Sequence, residues 1–106
     1  MTTATVFCEN WQIDCCGDPF KIGDNVEWDC NYTYDDYRIK EAQYEYEAHL
    51  EAEVIIRGVV AEIYDVAFEQ KDGAVFSYAI KPIEQVTRFG TTSGFLAVLH
   101  NVEVIK

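Results

Sequence analysis

The sequence predicts an all-β protein: a small antiparallel barrel of five to six strands, SH3-like or OB-like, with room for one short helix. Three observations predict it. Apolar residues recur with period two along most of the chain, which is the spacing of half-buried strands. Turn chemistry punctuates the alternating runs at Gly17-Asp18-Pro19-Phe20, Gly23-Asp24 and Lys71-Asp72-Gly73. Val59, Val60, Ile63, Val66 and Phe68 do not fit a sheet with one wet face, whereas a closed barrel buries its inner face and removes exposed edges.

The elements follow in order. Residues 4–13 read as a first strand with apolar side chains on both faces, as a curved strand in a small barrel requires. A short strand over 20–22 leads into Gly23-Asp24. Residues 25–34 give the cleanest alternation: Val26, Trp28, Cys30, Tyr32 and Tyr34 share one face, and Glu27, Asp29, Asn31 and Thr33 the other. Residues 35–48 carry conflicting signals, helical spacing of Tyr37, Glu41, Tyr44 and Ala48 against strand-like alternation from Tyr44 onward. They read as a mobile or short-helical insertion. A long strand over 50–70 follows, with Gly58 placed to bend it as a bulge or barrel corner. Asp72-Gly73 supplies the positive φ angles of a tight hairpin. A strand over 74–80 returns and stops at Lys81-Pro82, because proline cannot donate to a ladder. Residues 83–89 read as a short helical turn or an edge strand, 90–94 as a loop and 95–105 as the last strand. The tight Asp-Gly turn occupies the place where an OB-fold often carries a helix, which favours the SH3-like form. At 106 residues, with no repeat or linker, residues 1–106 are one domain.

Charge narrows the partners. Asp and Glu outnumber Lys and Arg 19 to 8, a formal net charge of −11. Nucleic-acid affinity comes largely from cations that neutralise phosphates, and here the cations are few and scattered, so no nucleic-acid partner is expected. An acidic surface instead suits a basic protein partner. No apolar run approaches the roughly 18 residues of a membrane helix, so no membrane partner is expected. The N-terminal residues lack a basic and apolar signal pattern. Four cysteines without such a signal point to free thiols in the cytoplasm.

Candidate sites are sparse. Cys15-Cys16 lacks the paired spacing of a zinc site, and successive strand residues point to opposite faces. A C-x-x-C redox motif is absent. The pair therefore reads as packing at the end of the first strand, with a metal or thiol role for Cys15 and Cys16 as the alternative. His49 and His100 have no ligand spacing with the cysteines. No nucleophile elbow, P-loop or dinucleotide fingerprint occurs. The expectation is a non-enzymatic chain with no catalytic residue, no metal and no cofactor. Aromatic residues interleaved with acids suit protein contact, because Tyr buries area at low entropic cost. Trp11, Trp28, Tyr37, Tyr44 and Tyr46 are the candidate binding residues.

The stretch from Trp11 to Trp28, WQIDCCGDPFKIGDNVEW, resembles the signature of the DUF6578-like family of small bacterial proteins of unknown function. Trp11, Cys15-Cys16-Gly17, Pro19-Phe20, Gly23-Asp24, Val26 and Trp28 carry the resemblance, and residues 56–63 are similar to that family's central strand. The resemblance implies a bacterial source and brings no activity, ligand or catalytic residue. The expected function is a protein-binding or regulatory module. The alternatives are the metal- or thiol-dependent protein, and an acidic immunity or inhibitor protein that masks a basic partner.

Overall fold

A computed structural model describes residues 2–15, 17–33, 37, 39–48, 51–71, 75–87 and 93–105. Its elements are β1 (Thr3–Glu9), α1 (Asn10–Cys15), β2 (Asn25–Tyr32), β3 (Tyr44–Tyr46), β4 (Val54–Lys71), β5 (Val75–Ile83) and β6 (Gly94–Ile105). Five strands close into a ring in the order β1-β3-β2-β4-β6 and back to β1, so the expected barrel is present. β5 lies outside the ring and pairs with the far half of β4, from Ile63 opposite Ile83 to Lys71 opposite Val75. That register makes the expected hairpin; its tip, residues 72–74, lies outside the described residues.

The ring is mixed rather than wholly antiparallel. β1 and β3 run parallel, with Val6 opposite Tyr44 and Phe7 opposite Glu45, while the other four seams are antiparallel. A parallel pair needs a crossover, and α1 followed by β2 supplies it. The seam is extended at Gln43 by one side-chain and one backbone bond. Gln43 accepts from the Thr5 N–H at 3.0 Å, and the Gln43 N–H donates to the Thr5 carbonyl at 2.8 Å.

β4 is long because it serves three neighbours: β2 along its first half, β5 along its second, and β6 between Ile55 and Val66. A flat strand could not follow the ring over that length. The ladder with β6 slips between Arg57 and Val59, around Gly58, and again between Val60 and Glu62. The bend expected at Gly58 is therefore there.

Several boundaries differ from the sequence reading; β2 ends at Tyr32 instead of continuing through Thr33, and β6 already starts at Gly94. The first strand stops at Glu9, and residues 10–15 form α1 instead of continuing it. The short strand over 20–22 reduces to a single bridge, Lys21 opposite Gln85. The long strand starts at Val54. β5 runs through Pro82 to Ile83, which an edge strand tolerates because only one side of its ladder must be filled. Of the uncertain insertion, residues 44–46 are β3, while residues 34–36 and 38 lie outside the described residues. So do 49–50 and residues 90–92 of the loop expected over 90–94.

The core has two parts. Val6, Cys8, Trp28, Cys30, Ile56, Val60, Ile63 and Leu99 fill the barrel. Phe7, Ile39, Ala42, Val66 and Leu96 form a second cluster, joined at its margin by Tyr37, Tyr64, Phe68 and Tyr78. Neighbours in β1 and β6 fall into different clusters, so these strands are buried on both faces. The expected mobile insertion supplies the cover. Ile39 is fully buried, and Tyr78 accepts from the Lys40 N–H and donates to the Glu41 carboxylate.

Candidate functional site

The segment from Gly17 to Asp24 is shaped by a few local requirements. At the end of α1 the Gly17 N–H donates to the Gln12 carbonyl at 2.7 Å, the six-to-one bond that commonly closes a helix. A β-carbon on Gly17 would stand 2.9 Å from the Tyr46 hydroxyl, so this position requires glycine for close approach. Cys15 thus sits at a helix end, not the strand end its sequence suggests, and Cys16 lies outside the described residues.

Residues 21–24 then make a turn. The Asp24 N–H donates to the Lys21 carbonyl, Asp24 Oδ2 accepts from the Lys21 N–H at 3.0 Å, and Gly23 takes a φ of 97°. Such a turn needs a residue that adopts positive φ at its third position. Backbone bonds fix the segment on two sides. Gly23 N–H and Asp24 carbonyl pair with Val60 of β4, while Phe20 carbonyl and Ile22 N–H pair with Val86 and Glu84.

This rigid segment and the start of β2 enclose a pit of about 280 Å³. Asp18 and Asp24 line it together with the buried Phe20, Trp28 and Tyr46, and Glu27 borders it through β2, its carboxylate on the strand face opposite Trp28. The rings support one another: Phe20 meets Trp28 edge-on at 4.8 Å between centroids, and Trp28 meets Tyr46 at 5.5 Å. Burial above all, then the charge of Cys8 and Asp18, pushes the Tyr46 phenol up to about 12, so it remains a neutral hydroxyl. At the edge of the pit Glu27 holds the Arg57 guanidinium at 2.8 Å, and Arg57 also reaches Glu103 at 3.4 Å.

Gln12 locks the floor from behind. It is the buried polar residue of the described core; its amide nitrogen donates to the Tyr46 carbonyl at 3.2 Å and its oxygen accepts from the Ala48 N–H at 2.9 Å. One side chain of α1 thereby acts as a strand partner for the chain leaving β3.

The five candidate binding residues fall in different places. Trp28 and Tyr46 meet in the pit. Trp11 stands 51% exposed on α1, its indole N–H donating to the Glu9 carboxylate. Tyr37 belongs to the outer cluster, edge-on to Phe7 at 6.5 Å. Its screened hydroxyl faces the Glu45 carboxylate without a well-formed hydrogen bond, and burial first, then that carboxylate, holds it well above the usual phenol range. Tyr44 pairs with Tyr32 across the β2–β3 seam at 5.7 Å. Asp18, Phe20 and Asp24 stand out in the sequence as turn residues, Phe20 and Asp24 also in the family signature, and none of them, nor Glu27, as a binding residue.

The thiols lie elsewhere. Cys8 and Cys30 are free and buried in the barrel, and burial first pushes both up, Cys30 to about 12. Reactive cysteines need the opposite shift. Among the described residues no group of three or more His, Cys, Asp or Glu side chains is gathered to hold a metal ion, and no helix is long and apolar enough to cross a membrane.

Fold and site together define a small closed β-barrel with a pit lined by acidic and aromatic residues. The chain belongs to the DUF6578 family, a family of unknown function, whose profile matches residues 2–97. No curated protein and no solved structure matches the chain.

Proposed function

We propose that this protein is a non-enzymatic cytoplasmic binding module that holds a basic protein partner at the pit. The observation that carries the reading is the pit's composition: the acidic residues Asp18 and Asp24 beside buried aromatic rings, on a chain with a net charge of −11. Opposite charge steers encounter, and a pit with an aromatic floor gives a buried anchor once contact is made. The carboxylates favour binding over acid–base chemistry, since Asp24 is engaged by the Lys21 N–H and Glu27 by Arg57. The free thiols Cys8 and Cys30 fit a reducing compartment. A basic partner also fits an immunity or inhibitor role, in which masking that partner is the function.

The test compares the protein with an Asp18→Asn/Asp24→Asn variant as bait in an extract of its own cells. A basic partner held by the unmodified protein, lost by the variant and released as salt rises supports the reading. A partner that is acidic, or is held equally by both baits, contradicts it.

A further inference from the structure

We infer that the basic partner docks by adding an extended strand to an open edge of β2, at Asn25 and Glu27. This docking mode rests on the pit being the site for a basic partner, and it names how the partner's backbone meets it. Backbone polar groups alternate sides along a strand. The Asp24 carbonyl accepts from the Val60 N–H at 2.9 Å, so Val26 and Trp28, in step with Asp24, turn their N–H and C=O groups to β4. On the other side the Asp29 carbonyl accepts from the Glu47 N–H at 2.9 Å, so Asn25 and Glu27 turn theirs toward the line of β3. But β3 pairs with β2 only from Cys30 to Tyr32. Among the described residues no strand lies beside Asn25 and Glu27 on that side. The pit is the space that β3 leaves: residues 25–28 line it in succession, with Tyr46, the last residue of β3, at its head.

The opposite wall does not fill this edge. Pro19 has no N–H to give, and the Phe20 carbonyl is spent on the Val86 N–H at 2.7 Å. Exposed edges are commonly blunted by lysine, proline or a covering element. The outer edge of β5 carries Lys81 and Pro82. Residues 25–28 carry neither, and the Glu27 side chain is held at 2.8 Å by Arg57 of β4, away from the open edge. An extended peptide satisfies such an edge with backbone bonds, while its alternate side chains face the pit and the wet face of β2. On the wet face they lie beside Glu27 and Asp29, where a basic residue stabilises and an acidic one repels. A second copy of this chain is a poor occupant, since it brings a net charge of −11 against its equal.

Heteronuclear NMR titration with the capped pentapeptide Lys-Val-Lys-Val-Lys tests the docking mode, beside two forms N-methylated at the lysines or at the valines. In an added strand only every second amide turns to β2. One methylated form should therefore bind like the parent peptide and the other lose binding about tenfold or more, with the Asn25 and Glu27 amides shifting saturably. On the protein side, Glu27→Pro removes the edge N–H without touching the β4 ladder, whereas Glu27→Ala keeps it. The proline variant should bind the parent peptide about tenfold more weakly than the alanine variant. Should the proline variant not fold, the methylated peptides still decide. Equal binding of the two methylated forms, equal binding by the two variants, or a dimer that Glu27→Pro dissolves would each overturn strand addition. If the parent peptide leaves the Asn25 and Glu27 amides unmoved while the bait still holds a basic protein in an Asp18-dependent way, strand addition fails and the module reading stands. If no such protein is held either, the module reading has failed with it.

Discussion

β1 and β2 are neighbours of the same β3, yet they are buried differently. Along β2 exposure alternates: Trp28 and Cys30 point into the barrel, while Asn25, Glu27 and Asp29 face solvent. Along β1, Val6, Phe7 and Cys8 are all fully buried. The even residues enter the barrel, and Phe7 enters the outer cluster beneath Ile39 and Ala42. The difference teaches that a strand's pattern reports how many of its faces are covered, not how much it curves. β2 keeps a wet face and therefore a legible alternation. β1 has a roof, and its pattern dissolves into a continuous apolar run.

Alkali should produce the largest effect, because the face the two strands share holds neutral ionisable groups. Burial raises Cys30 from 9.0 to about 12 and Tyr46 from 10.0 to about 12, and raises Cys8 in the same direction. A group whose folded pKa is raised contributes its full stability below the unfolded value and loses it as pH climbs to the folded one. Stability measured by urea unfolding should therefore fall steadily between about pH 9 and 12. Cys30→Ala should flatten that decline, and an unchanged slope would separate the thiol from it.

Phe7→Ala probes the roofed face. It removes a fully buried ring that contacts Tyr37 and Phe68, so about 3–5 kcal/mol should be lost. A loss under about 1 kcal/mol would mean that Tyr37, Ile39 and Ala42 do not cover β1. Next, Gln12→Ala leaves the Tyr46 carbonyl and Ala48 N–H without their side-chain partner. It should cost about 1–3 kcal/mol and slacken the pit floor, visible as broadened Tyr46 resonances. The smallest effect belongs to β2's wet face: Asp29→Ala should change stability by no more than about 0.5 kcal/mol.

The same contrast explains what the sequence disclosed. Residues 25–32 were legible because one face of β2 is wet, and the Gly58 bend and the 71–75 hairpin were legible because turns and bulges have local chemistry. Residues 10–15 were not. Glu9, Asn10, Trp11, Gln12 and Ile13 alternate like a strand, and six residues are too few for a helical period to show. Gln12, a polar residue, is buried for two backbone bonds that no local pattern announces. Pro82 misled because its cost depends on whether β5 is an edge, a property of topology alone. The pit was half legible: Trp28 and Tyr46 stood out as aromatics, but Asp18 and Asp24 looked like ordinary turn residues. The antiparallel pairing of β2 with β3, which sets Tyr46 opposite Cys30, brings Tyr46 beside Trp28.

The central claim is that a basic partner docks over Trp28, and the two tryptophans allow a direct reading. Trp11 is 51% exposed and Trp28 is 8% exposed, so a Trp11→Phe protein reports on the pit floor alone. Titrated with a short arginine-rich peptide, its emission should change saturably, the change should weaken as salt rises, and Asp18→Asn/Asp24→Asn should abolish it. A peptide that binds without altering Trp28 emission, or alters it equally in the doubly substituted protein, would contradict the account.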